Sequence, residues 1–470
     1  MRKKNKQQLL EDITITDYAA EGKALARVDG KVIFISGAVP GDVADVLLTK
    51  SKKDWAEGRV TVIKQPAPDR LEPFCVHFGT CGGCKWQMLP YEKQLQYKQQ
   101  EAEQNLRRIG KLDIPEMLPI VGSAATTAYR NKLEFTFSNK RYLLPDEISS
   151  AETPVNTPAL GYHAPRIFDK VIDIRTCYLM DDVNNRIRNT IRDFALNNGF
   201  LFYDVRQHTG WLRNIIIRYC TTGELMVNLC INHEAEEDRK RLLDHLLQQV
   251  PEISTLLYTI NPKWNDSIHD LQPLVYYGKG YAIEKLEEFE FKISPKSFFQ
   301  TNTRQGENLY RIARDFAGLT GRETVYDLYC GTGSIGIFVS KLAGKVIGVE
   351  VIEEAIEDAK KNAALNGITH AEFFAGDVIK ICDDAFFARH GRPDVVITDP
   401  PRAGMHEKLV NKLLEMESPR IVYVSCNTAT QARDLSLLAE KYNIVKVQAV
   451  DMFPHTHHIE CVALLELKNQ

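Results

Sequence analysis

The chain opens on short runs in which apolar and polar residues trade places at every second position. Ile13-Thr-Ile15, Ala24-Leu-Ala-Arg-Val28, Lys31-Val-Ile-Phe-Ile35, Asp45-Val-Leu-Leu48 and Arg59-Val-Thr-Val-Ile63 are separated by Gly22, Asp29-Gly30 and Pro40-Gly41. Period-two alternation broken by turn residues predicts strands, and five of them in so short a stretch predict a small oligonucleotide-binding type barrel. Gln65-Pro-Ala-Pro68 reads as a linker, and Tyr91–Arg108, polar and free of Pro and Gly, as a helix. Residues 126–290 mix strands (132–137, 214–218, 225–229) with helices (181–197, 234–249), the pattern of an α+β middle domain. Within them, 144–160 carries Pro145, Pro154 and Pro158 and reads as a surface excursion. From Tyr281 onward, strands at 324–329, 345–350, 371–375, 394–398, 420–425, 445–450 and 459–466 alternate with helices such as 334–342 and 353–366. That rhythm predicts a doubly wound α/β domain. The expected division is a barrel at 1–65, a middle domain at 66–290 and an α/β domain at 291–470.

A chain of 470 residues needs two or three cores. No apolar run approaches the roughly 18 residues of a membrane helix, and Met1-Arg-Lys-Lys-Asn-Lys6 lacks the apolar stretch of a secretory signal, so a cytoplasmic protein is expected. Net charge is only −3, but residues 1–111 hold 19 Lys+Arg against 14 Asp+Glu. That basic excess suits a polyanion and suits a solvated tail equally. Ten cysteines in a cytosolic chain point to metal or catalysis rather than to disulfides.

The α/β region carries the chemistry. Cys330-Gly-Thr-Gly-Ser-Ile-Gly336 matches G-x-G-x-x-G between a strand and a helix, and Glu350 ends the next strand, where it can accept both ribose hydroxyls. A nicotinamide fold shares this much. Asp327, four positions before the glycine turn, suits an ammonium and would repel a pyrophosphate. Asp377, after the third strand, can accept from an adenine amino group, and Asp399-Pro-Pro ends the fourth. These acids favour S-adenosylmethionine. Asp-Pro-Pro also occurs in enzymes that methylate base amines, usually with an aromatic residue next; here Arg402 follows.

Cys426 then selects the reaction. A strand cysteine is most often a buried structural thiol, but this one ends Ile421-Val-Tyr-Val-Ser beside the Asp-Pro-Pro strand. Uracil carbon-5 is too weak a nucleophile to take a methyl group directly. A thiolate added to carbon-6 activates it, and a base must then remove the carbon-5 proton. Cys426 and Glu460 supply thiol and base. Strand alternation would place His458 and Glu460 on one face and His455 and His457 on the other, which disfavours a metal there.

Ser297-Phe-Phe-Gln-Thr-Asn302, Asp327-Leu-Tyr-Cys-Gly-Thr-Gly333, Asp399-Pro-Pro-Arg-Ala-Gly404, Tyr423-Val-Ser-Cys-Asn427 and His458-Ile-Glu460 together closely resemble the RNA 5-methyluridine methyltransferases, over nearly the whole chain. The resemblance implies a class I, Rossmann-like methyltransferase domain acting on uracil in 23S ribosomal RNA or the tRNA T-loop. It implies that Gln300, Tyr329, Glu350, Asp377 and Asp399 contact S-adenosylmethionine, with Cys426 as nucleophile and Glu460 as base. Many members continue Ser-Cys-Asn with Pro, whereas Thr428 stands here, which alters the rigidity of that loop.

Cys75-x5-Cys81-Gly-Gly-Cys84, with Cys177 as a distant fourth, has a spacing that by itself favours zinc. The ribosomal-RNA members resembled carry a [4Fe–4S] cluster on this pattern, which implies the same four ligands here and an architectural role. Residues 9–64 resemble the TRAM domain. The T-loop members generally lack both features, so the resemblance implies 23S rRNA as partner; a monomer is expected. Candidate RNA contacts on the barrel are Lys23, Arg27, Lys50, Lys52, Lys53, Arg59 and Trp55. Tyr129-Arg-Asn-Lys132 resembles a family segment near the RNA, and Phe298 is a candidate stacking surface for an extruded uracil. The rival readings are a non-catalytic RNA-binding protein with a decayed cofactor fold and a nicotinamide oxidoreductase.

Overall fold

The computed structural model describes residues 8–144, 147–148 and 157–468. Most of the expected excursion at 144–160, and the basic tip at residues 1–7, lie outside them.

The alternating N-terminal runs form a six-stranded sheet in the order Leu9–Thr14, Val43–Ser51, Trp55–Gln65, Lys31–Ser36, Lys23–Val28, Asp17–Ala19. Alternation sends Ala24, Ala26, Ile33, Ile35, Val46 and Ala56 into one core. Where one strand was expected at Ile13–Ile15 the chain makes two, Leu9–Thr14 and Asp17–Ala19, with fully buried Ile15 at the corner.

The middle segment builds a seven-stranded sheet in the order Val171–Asp173, Ala159–His163, Lys132–Ser138, Leu212–Tyr219, Leu225–Ile231, Thr255–Ile260, Leu274–Gly278. The helices Val183–Asn197 and Glu236–Gln249 pack against it through Ile187, Ile191, Leu243 and Leu246. Among the described residues no helix is long and apolar enough to cross a membrane.

The C-terminal sheet has eight strands, in the order Ala371–Ala375, Lys345–Glu350, Thr324–Leu328, Val395–Thr398, Arg420–Ser425, Glu460–Leu467, Tyr442–Val450, Glu116–Val121. Pairs along it are parallel except those made by Glu460–Leu467, which runs antiparallel to both neighbours. Helices cover both faces, so adjacent residues serve different cores: Val422 and Val424 face one, Ile421 and Tyr423 the other. The five strands that precede the antiparallel one end at the same edge where Glu460–Leu467 begins. Glycine-turn, Asp-Pro-Pro, Cys426 and Glu460 therefore share one rim.

Two elements depart from the expected contiguous boundaries. Glu116–Val121, inside 66–290, pairs with Tyr442–Val450. The hairpin Ala282–Leu286/Phe289–Ile293, placed largely before residue 291, packs into the C-terminal core through Leu286, Phe289, Phe291 and Ile293. An unfilled sheet edge and an uncovered apolar face capture these segments despite their place in the chain.

The helix Tyr91–Gln104 continues as a wider turn, Asn105–Ile109, and its buried stripe carries two polar residues, Gln94 and Lys98, beside Ala102. Lys98 Nζ lies 2.6 Å from Asp451 Oδ1, and both side chains are inaccessible to solvent. Lys98→Met strands the Asp451 carboxylate and is expected to cost about 3–5 kcal/mol in denaturant unfolding, most of it regained in Lys98→Met/Asp451→Leu.

Candidate active site and cysteine cavity

Strand register brings the thiol and the carboxylate together. Ser425 pairs with Cys461 across antiparallel strands, so the next step in register sets Cys426 opposite Glu460. Half-buried Cys426 leads into the helix Thr428–Leu438, which Asn427 caps by accepting from the amides of Ala429 (3.1 Å) and Thr430 (3.4 Å). Asn427 Nδ2 and Thr430 Oγ1 also donate to the Arg402 carbonyl, at 3.1 and 3.3 Å, locking the nucleophile loop to the Asp-Pro-Pro loop. Thr428, standing where Pro is common, accepts from Asn105 Nδ2 at 2.8 Å. A hydrogen bond from the N-terminal helix thus restrains the position where a ring would.

The acids at this rim reinforce one another. Burial, then the Asp399 charge, raises Glu460 well above the carboxylate range. Burial pushes Asp399 to about 7, and burial, opposed by the Gly336 amide, pushes Asp327 to about 7. Cys426 rises to about 11 through burial, then Glu460 and Asp399, with Arg402 opposing. A buried rim where carboxyls crowd is suited to a cation.

Tyr329, Glu350, Asp377 and Asp399 follow or end strands of the C-terminal sheet, and Gln300 lies in the segment before the helix Thr303–Ala317. Tyr329 leaves its strand at φ 63°, a conformation costly for a side-chain-bearing residue and frequent at functional sites. Glu350 accepts from the amides of Gly331 (3.3 Å) and Ile352 (3.1 Å). Exposed Asp377 caps its helix, accepting from the Ile379 amide at 3.0 Å. Buried Gln300 is held by Asn131, whose Nδ2 donates to its carbonyl at 2.9 Å. Asp327 accepts from the Gly336 amide at 2.8 Å through Oδ2, while fully buried Oδ1 has no protein partner. At Gly333, φ 77°, a Cβ would sit 2.9 Å from the Phe373 ring, so the turn requires glycine.

Elsewhere the sequence reading is refined. His455, His457 and His458 lie in a turn rather than a strand, so face alternation does not apply, and burial holds all three near 4, hence neutral. Asn131 and Tyr129 are buried: Asn131 also reaches Thr303 Oγ1 (2.8 Å), and the Tyr129 hydroxyl donates to Pro454 (3.0 Å). Arg130 lies over the Phe453 ring. Phe298 is 72 % exposed. On the barrel, Arg27, Lys50, Lys52, Lys53 and Arg59 are exposed, Lys23 pairs with Glu21 and Glu57, and Lys50 covers Trp55 at 4.7 Å.

Cys75, Cys81, Cys84 and Cys177 line one cavity of about 340 Å³. Burial raises Cys75, and pushes Cys81 to about 11 and Cys84 to about 12, each further raised by charge on Cys177. Behind Cys177, the buried Arg188 guanidinium donates to Ile174 and to Asn185, which accepts the Cys177 amide at 2.8 Å. No group of three or more His, Cys, Asp or Glu side chains able to hold a metal ion occurs among the described residues.

A family model described as tRNA (Uracil-5-)-methyltransferase matches residues 212–468, and a TRAM domain model matches 11–61. The chain belongs to the tRNA (uracil-5-)-methyltransferase family. It is 54% identical to an uncharacterized RNA methyltransferase of Bacteroides thetaiotaomicron, over 96% of this chain and all of that one. A similarly named protein of Porphyromonas gingivalis is 51% identical over 96% and 98%. A solved structure of Pyrococcus abyssi tRNA (uracil-54, C5)-methyltransferase with S-adenosyl-L-homocysteine superposes with a TM-score of 0.74 at 26% identity, covering 97% of this chain and 100% of that one. This family member is an S-adenosylmethionine-dependent RNA (uracil-5-)-methyltransferase with an N-terminal TRAM domain.

In the free enzyme, alkylation of Cys426 by iodoacetamide, followed by peptide mass spectrometry, should be slow at neutral pH and rise towards about pH 11. Arg402→Met removes an opposing charge and should move that rise to higher pH.

Proposed function

We propose that this enzyme methylates carbon-5 of a uridine in 23S ribosomal RNA through a covalent Cys426–uracil adduct, with Glu460 as base. The observation that carries the mechanism is the register that sets the thiol opposite the carboxylate at the cofactor rim. S-adenosylmethionine, when bound, supplies an electrophilic methyl group; Gln300, Tyr329, Glu350, Asp377 and Asp399 are the residues proposed to hold it. The unpartnered Asp327 Oδ1 and the crowded carboxyls fit its cationic end. The Cys426 thiolate adds to carbon-6, and the electrons of the 5,6 double bond move towards the 4-carbonyl, making carbon-5 nucleophilic. Once carbon-5 carries the methyl group, Glu460 accepts its proton. The freed pair restores the double bond, and the carbon–sulfur pair leaves with Cys426. Phe298, exposed beside Gln300, suits stacking on an extruded uracil.

The four cysteines are proposed to hold a [4Fe–4S] cluster. A single zinc needs four sulfurs about 2.3 Å from one point. The four thiols share one cavity of about 340 Å³, and Arg188 behind Cys177 suits a centre carrying negative charge. The TRAM domain together with this cavity supports the ribosomal reading. The second reading, tRNA uracil-54, is favoured by the Pyrococcus abyssi structure, whose likeness extends over 97% of this chain.

RNA bearing 5-fluorouridine should form a denaturant-resistant adduct with the native enzyme and none with Cys426→Ala; an adduct with that variant would reject the mechanism. Mapping 5-methyluridine in cells with and without the gene should show its loss from 23S rRNA, whereas loss from tRNA alone selects the second reading. Protein purified without oxygen should hold about four irons and four sulfides per chain, lost in Cys84→Ser; zinc in their place would overturn the cluster.

A further inference from the structure

Resting on the reading of Glu460 as base, we infer that residues 85–98, directly after the cysteine turn, are a clamp that positions Glu460 for removal of the carbon-5 proton. Glu460 begins its strand opposite Val450, immediately after the irregular segment 451–459, so its place is set by that ladder on one side and by what fixes that segment on the other. Much of the fixing comes from residues 85–98. The amides of Lys85 and Trp86 donate to the His455 carbonyl at 2.7 and 3.1 Å. Gln94 accepts from the His455 amide at 2.8 Å and lies 3.2 Å from His455 Nδ1. The same Gln94 amide donates to the carbonyls of Trp86 and Leu89, binding the turn to its helix. Lys98 reaches Asp451 Oδ1 and the Phe453 carbonyl (3.2 Å), and the Tyr91 hydroxyl donates to Asp451 Oδ2 at 2.8 Å. His455 is held at φ 63°, a strained conformation that persists only under outside restraint.

The nucleophile is fixed by its strand, by the Asn427 cap on the Arg402 carbonyl and by the Asn105–Thr428 hydrogen bond, none of which involves residues 85–98. Loosening the clamp should therefore leave thiol addition and methyl transfer in place and slow the last step. In that step the carbon-5 proton passes to the Glu460 carboxylate, the C–H pair re-forms the ring double bond, and the sulfur departs with the C–S pair. Gln94, Lys98 and Asp451 are positioning residues on this reading, and the cysteine turn is the fixed end of the clamp.

The test is a single-turnover assay with methyl-labelled S-adenosylmethionine and unmodified 23S rRNA transcript, or tRNA transcript should mapping select it. It compares native enzyme, Glu460→Gln, Gln94→Leu and the charge-free pair Lys98→Met/Asp451→Leu, each checked for its melting transition. Gln94→Leu and the paired variant should form the methylated protein–RNA adduct within about 2-fold of the native rate. They should release product roughly 10- to 100-fold more slowly, as misplacement of a catalytic group predicts, so the adduct accumulates as in Glu460→Gln. Adduct formation and release slowing together, or release at the native rate, overturns the clamp. If Glu460→Gln itself releases product freely, the base assignment fails and the clamp with it.

Discussion

An ammonium and a carboxylate 2.6 Å apart and shut away from water tie Lys98 to Asp451, 353 positions later. Such a pair contributes little net stability, because desolvating both charges offsets their attraction. Its strength is in what it forbids, since any arrangement that parts the two leaves a bare charge in the interior. The Tyr91 hydroxyl shares the same carboxylate, and Gln305 holds the Asp451 carbonyl at 2.8 Å. With the Glu116–Val121 strand and the Asn105–Thr428 hydrogen bond, this pair fastens the early chain to the rim where Cys426 and Glu460 meet. The N-terminal portion is thereby part of the catalytic framework as well as a carrier of the RNA-binding domain.

The antiparallel strand is the second constraint. In a wholly parallel sheet only strand carboxyl ends meet at one rim. Reversing Glu460–Leu467 delivers the start of a strand to the same place and sets it directly across from the end of Arg420–Ser425. A slip of one residue would turn Glu460 to the opposite face of the sheet. The fully buried run Cys461–Ala463 resists that slip, since its side chains divide between cores on both faces.

Much of the architecture was legible in the chain. Strands 345–350, 371–375 and 420–425 match their expected bounds, because each is a short segment set between turn residues in a regular alternation with helices. The family follows from motifs that sit at strand ends. The burial of Gln94 and Lys98 was hidden: their segment reads only as a polar helix, and no hydropathy pattern shows that their partners arrive more than 350 positions later. The capture of Glu116–Val121 was hidden for the same reason, since a six-residue segment containing Pro119 carries little pattern of its own. The histidine faces were misjudged because alternation was assumed for 455–458, which a positive φ at His455 shows to be a turn.

The electrostatics divide the labour between the two proposed catalytic groups. Glu460 is buried beside Asp399, and its affinity for a proton is raised. A carboxylate so placed is a stronger base than a solvated one, and it must be ionised when the carbon-5 proton is presented to it. Cys426 is only half-buried, yet burial and the charges of Glu460 and Asp399 hold the free thiol at about 11, with Arg402 on the exposed loop opposing them. Exchanging the two environments would serve neither group: fuller burial would raise the thiol further, and an exposed carboxylate beside Arg402 would be a weaker base. The difference in burial between the end of one strand and the start of its neighbour is what allows a single rim to hold both.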